Sequence, residues 1–83
     1  MELRDQIRGY IVDNFLFGDT EPLTGDEISL LDNGIIDSVG VMELVAYLEQ
    51  DHNLTIADDE LVPENLDSVA NLVAFVSRKQ TIT

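Results

Sequence analysis

Asp37 and Ser38 stand side by side where a glycine-containing turn, Gly34-Ile35-Ile36, gives way to an amphipathic run. Asp37 suits a helix N-cap, because its carboxylate accepts hydrogen bonds from backbone N–H groups that have no partner within the helix. Ser38 is then a residue of the first turn. A phosphate or phosphodiester on its oxygen would lie among free N–H donors in the partial positive field of the helix N-terminus, where anions are stabilised. The pair therefore points to a phosphorylated or phosphodiester-linked serine.

Other chemistries fail on spacing. A hydrolytic serine needs a histidine within hydrogen-bond reach. The single histidine, His52, lies in the same expected helix, roughly 21 Å from Ser38 at about 1.5 Å per residue. It is read as a solvated residue that favours the helix C-terminus when protonated. An EF-hand loop needs glycine at its sixth position and glutamate at its twelfth. From Asp19 those positions hold Thr24 and Leu30, and from Asp51 they hold Ile56 and Val62. The acids Asp58-Asp59-Glu60 would attract divalent ions only loosely, and no metal site is expected.

The 83 residues carry 17 acids and 4 bases, a formal net charge of −13. All four bases, Arg4, Arg8, Arg78 and Lys79, lie near the ends of the chain. Nucleic acids and anionic membrane surfaces are bound by cations, so both are excluded as partners, and basic partners are favoured. The absence of cysteine rules out disulfides and thiolate metal sites. No apolar run approaches about 18 residues, and the N-terminal stretch lacks a signal peptide's apolar centre. A single cytoplasmic, monomeric domain spanning residues 1–83 is expected. Salt should stabilise it by screening self-repulsion. The melting temperature is expected to rise from low to moderate salt, and a flat or falling one would contradict this.

Four elements must position the serine. Leu3, Ile7, Tyr10, Ile11 and Phe15 draw one apolar stripe along a helix over residues 2–16, closed near Gly18. Residues 17–37 form a loop far longer than the usual ~4–6 residues. It carries Leu23, Ile28, Leu30, Leu31, Ile35 and Ile36, which fits a loop packed over one end of the core, with a helical turn around Asp26 to Leu31. A second helix over 38–51 buries Val41, Leu44, Val45 and Leu48, and Asn53 suits its C-terminal cap. A short helix is placed at about 59–63, ending before Pro63 because the residue preceding proline disfavours helical backbone. The last helix, 68–79, is capped by Asp67 or Ser68 and buries Val69, Leu72, Val73 and Val76, with Thr81 to Thr83 frayed. The fold class is all-α: a four-helix bundle of three long helices and one short, with a long first loop.

The run Gly34-Ile35-Ile36-Asp37-Ser38-Val39-Gly40, its continuation Val41 to Glu49, and the later segments Ile56 to Glu60 and Asp67-Ser68-Val69 closely resemble the acyl carrier protein family. The resemblance spans almost the whole chain. It implies a protein that catalyses nothing itself. A phosphopantetheinyl transferase would move the 4'-phosphopantetheine arm of coenzyme A onto Ser38, next to Asp37. The arm's thiol would hold an acyl or aminoacyl group as a thioester for partner enzymes with basic docking patches. The docking residues it implies are Val39, Met42, Glu43, Ala46 and Glu49, with Glu43 and Glu49 on a solvent-facing acidic side of the helix. Met42 fits the core as well as it fits that edge. Ile36, Val39, Met42 and Ile56 suit either the transient shelter of a bound chain or ordinary packing.

Val39 and Gly40 follow the serine where fatty-acid carriers usually have leucine and an acid. An apolar residue followed by glycine looks more like D-alanyl carrier proteins and other freestanding carriers loaded by AMP-forming ligases. A specialised biosynthetic pathway is therefore expected, with conventional fatty-acid synthesis as the alternative. An acidic helical interaction module without a prosthetic group is the alternative of another class.

Overall fold

The computed structural model describes residues 2–81. Helices α1 (Leu3–Phe15), α2 (Ser38–Asp51), α3 (Pro63–Leu66) and α4 (Val69–Thr81) follow one another, with a 3-10 turn at Asp58–Glu60 between α2 and α3. The described residues contain no strand. Three long helices and a short one form a small all-α bundle. The expected fraying falls partly outside the described residues, since Ile82 and Thr83 are not among them and Thr81 ends α4.

The helices α1 and α2 run antiparallel, as contacts in reverse register show. The Tyr47 hydroxyl donates to the Gln6 carbonyl oxygen at 3.4 Å, and the Tyr10 hydroxyl to that of Glu43 at 3.3 Å. The two tyrosine rings stack with centroids 3.9 Å apart, and the Phe15 ring lies over Gly40. The C-terminal end of α1 is thereby placed beside the first turn of α2. The core draws Ile7 and Ile11 from α1, Leu44 and Leu48 from α2, and Leu72, Phe75 and Val76 from α4. Asn53 adopts a left-handed φ of 58° after α2, and the Leu54 N–H donates to the Glu49 carbonyl oxygen at 3.3 Å, an asparagine-capped helix end. The α1 end is less usual: Phe17, 93% exposed, has φ 53° and Gly18 has φ 87°.

The long first loop forms one wall of the core, burying Leu23, Leu30, Ile35 and Ile36. Arg4 and Arg8 both pair with Asp26, and Arg8 also donates to the Leu23 carbonyl oxygen at 3.2 Å. The Asp26 carbonyl oxygen accepts from the Ala70 N–H at 2.7 Å. Residues 26–31 form turns and not the expected helical turn. The N–H groups of Leu30 and Leu31 point instead to Asp67, bonding its carbonyl oxygen at 2.7 Å and its Oδ1 at 2.9 Å.

The region expected to hold the short helix, about 59–63, holds the end of the 3-10 turn Asp58–Glu60, which closes before Pro63, while the short helix α3 follows. Pro63 begins α3. Val62 is extended (φ −123°, ψ 152°), as the residue before a proline prefers, and a proline lacking its N–H loses nothing in a helix's first turn. Of the two expected caps for α4, Ser68 takes that role, its Oγ accepting from the Asn71 N–H at 3.0 Å.

Two carboxyls sit below the usual range. Hydrogen bonding to Arg4 lowers that of Asp26, and hydrogen bonding to Lys79 and then to the Ala57 N–H lowers that of Glu60. Their contribution to stability is present above the ordinary carboxylate pKa and is lost as pH falls through the depressed folded values. The difference in melting temperature between the parent and Asp26→Asn is therefore expected to be constant near neutral pH and to shrink below about pH 4. A difference that grew on acidification would contradict the assignment.

Candidate carrier site at the first turn of helix α2

Asp37 is extended (φ −109°, ψ −173°), and its Oδ1 accepts from the Gly40 N–H at 2.8 Å. Its carbonyl oxygen accepts from the Val41 N–H at 2.9 Å, starting the helix. Ser38 is exposed, and its hydroxyl has no hydrogen-bond partner among the described residues. The N–H groups of Ser38 and Val39 likewise have no acceptor among them. One solvent-facing hydroxyl thus lies beside two unmatched donors at the positive end of a 14-residue helix.

Val39 (67% exposed), Met42 (56%), Glu43 and Ala46 continue from the serine along one exposed strip of α2. Met42 lies on the surface and not in the core. Glu49, expected on the same acidic side, is half-buried, and its Oε2 accepts from the Ile56 N–H at 3.1 Å. That carboxylate fastens the segment after α2, so it is less free to meet a partner. Ile36 is buried and Ile56 half-buried, so the four residues considered for sheltering a chain do not form one surface. An apolar hollow of 140 Å3 is lined by Leu31, Val41, Leu61, Val62, Leu66 and their neighbours, with Val41 one turn along α2 from Ser38.

His52 lies at the far end of α2 and is not simply solvated. It is half-buried, its ring packs edge-on against Tyr47 with centroids 5.3 Å apart, and its Nε2 lies 3.2 Å from the Tyr47 hydroxyl. Burial raises the Tyr10 and Tyr47 phenols, with Asp51 adding to both and Glu43 to Tyr10. An open cleft of 560 Å3 between α1 and α2 runs along these rings and includes none of the first turn of α2.

Two contributions to the site were not drawn from the sequence. Gly40 is buried against Phe15 and Ile36. Asp67, considered only as a cap, holds Ser29 Oγ and the Leu31 N–H through its carboxylate. Nothing in the local pattern could reveal that second contact, because its partners are 38 and 36 residues away.

The family described as "Phosphopantetheine attachment site" matches residues 5–76. This chain belongs to that family of carrier proteins. A relative, the probable acyl carrier protein PigG of a Serratia species, is 30% identical over 76 residues, covering 92% of this chain and 86% of the relative. The family's prosthetic group is 4'-phosphopantetheine, attached covalently. The surface at α2 fits such a group. A phosphodiester there would meet the unmatched N–H groups of residues 38 and 39, and no described side chain obstructs the Ser38 hydroxyl by bonding to it. When bound, the arm supplies a thiol that carries an acyl group as a thioester. Phosphopantetheinyl transferases and biosynthetic enzymes are the partners of carriers in general. No helix of the described residues is long and apolar enough to cross a membrane.

Proposed function

We propose that Ser38 is the attachment point, and that the carrier serves a specialised pathway in which an AMP-forming ligase loads an acyl or aminoacyl group onto the arm. The observation that carries the first part is the unengaged hydroxyl at the first turn of α2. Asp37 fixes that turn by holding the Gly40 N–H, so the oxygen is presented by a rigid helix end. Val39, Met42, Glu43 and Ala46 are the docking strip. The apolar members would be covered by the partner, and Glu43 would steer a basic patch toward the serine. Glu49 belongs to this surface only at its edge.

The second part rests on Gly40, which leaves no carboxylate two residues after the serine. The relative's description as an acyl carrier supports acyl transport without identifying the acyl group. The hollow beside Val41 is small, at 140 Å3, and would suit a short cargo. Fatty-acid synthesis is the alternative pathway, and a cytoplasmic monomer is the expected form.

The pathway is tested with arm-bearing protein offered in parallel to AMP-forming ligases with ATP and short acyl or amino acids, and to a malonyl transferase with malonyl-coenzyme A. Intact mass reads the thioester. Loading by a ligase, with malonyl loading much slower, is expected. Rapid malonyl loading without loading by any ligase would place the carrier in fatty-acid synthesis.

A further inference from the structure

We propose that Gly40 is a positioning residue for arm transfer, acting through Phe15 and Ile36 to set where the Ser38 oxygen stands; this rests on Ser38 being the attachment point. Gly40 is buried at the third position of α2. A Cβ there would lie 2.9 Å from Phe15 Cε1, 3.0 Å from Ile36 Cγ2 and 3.3 Å from Asp37 Oδ1. All three separations are shorter than ordinary contacts between carbon atoms, or between carbon and oxygen, so something has to move.

The surroundings decide what moves. The Phe15 ring is braced edge-on against Tyr10, with centroids 5.9 Å apart, and Tyr10 in turn is stacked on Tyr47. Ile36 is buried, and its N–H donates to the Leu30 carbonyl oxygen at 3.3 Å, in a turn that Asp67 holds. The remaining side is the first turn of α2 itself. Its cap, Asp37 Oδ1, is the third atom in the way and bonds the same residue's N–H at 2.8 Å. A side chain at position 40 therefore displaces the cap and the turn that carries Ser38. The strip at Val39, Met42 and Glu43, on the outer side of the helix, remains exposed for the transferase. Helix propensity acts in the opposite direction, since alanine favours helix over glycine, but less in a first turn than in an interior.

Initial rates of arm transfer from coenzyme A by a phosphopantetheinyl transferase, measured against carrier concentration, separate kcat from KM. The rates are taken where circular dichroism shows each variant fully folded. For Gly40→Ala a fall in kcat of about tenfold or more is expected, because misplacing a reacting atom by about 1 Å can cost a hundredfold. KM should change much less. Phe15→Leu alone, which removes the ring that packs on Gly40, gives the reference rate for the double variant. The double variant Gly40→Ala/Phe15→Leu, lacking the closest ring atom, should regain most of the lost kcat. If Gly40→Ala does not fold, the double variant is required both to fold and to load.

A parental kcat in Gly40→Ala would overturn the proposal, as would a loss confined to KM or a double variant no faster than Gly40→Ala. Failure of the parent protein to load at all would instead count against Ser38 as the attachment point, so the two failures are distinct.

Discussion

Exchange of Ser38 for alanine is expected to abolish arm transfer while leaving stability within about 0.5 kcal/mol of the parent. The hydroxyl bonds to nothing among the described residues, so its loss leaves no orphaned partner, and alanine is a better helix former than serine. The loss of transfer is complete because no other serine shares the geometry. Ser29 donates to Asp67, Ser68 is buried as the cap of α4, and Ser77 lies within α4, away from a helix start. Intact mass after incubation with coenzyme A and transferase, together with a denaturation curve, reads both halves. Residual modification of Ser38→Ala would assign the arm to another residue. A large drop in stability would show that the hydroxyl has a structural role.

Asp67→Ala is expected to cost about 2–3 kcal/mol. Its carboxylate accepts from the Ser29 hydroxyl and the Leu31 N–H, and hydrogen bonds to charged groups contribute about 1.5–3 kcal/mol each, less where solvent reaches them. The bond from the Leu30 N–H to the Asp67 carbonyl oxygen survives the substitution. A domain of this size has a total stability of only about 4–12 kcal/mol, so the change is substantial. The effect should also reach the site. The turn held by Asp67 supplies the Leu30 carbonyl oxygen that anchors the Ile35 and Ile36 N–H groups, directly before Asp37 and Ser38. A lower denaturation midpoint with an unchanged slope, and slower arm transfer at matched folding, are expected. An unchanged midpoint would mean that the turn is held by its buried apolar residues alone.

The elements that were legible in the sequence are those with local causes. The stripe of Ile7 and Ile11, the alternation of buried and exposed positions along α2, and the Asp37 cap all follow from spacing and from one side chain's reach. Asn53 at the end of α2 is legible for the same reason. The loop was harder, because its N–H groups are satisfied across the chain by Asp67 and not within a helical turn. The helix that Pro63 begins was missed because a proline opposes helix before itself and permits helix after itself, and only packing decides which side is used. At the site, the serine beside the Asp37 cap was legible from residue types, whereas the strip of Val39, Met42, Glu43 and Ala46 was what the family resemblance implied. The commitment of Glu49 to Ile56 and the close fit of Gly40 under Phe15 were legible from neither, because both depend on how distant segments meet.

Peptide mapping by tandem mass spectrometry, applied to the parent protein after reaction with coenzyme A and a phosphopantetheinyl transferase, tests the central claim most directly. One 4'-phosphopantetheine on the peptide containing Ser38, localised to that serine, is the predicted result. An arm on Ser29, Ser68 or Ser77, or an unmodified protein beside a control carrier that is fully converted, would contradict it.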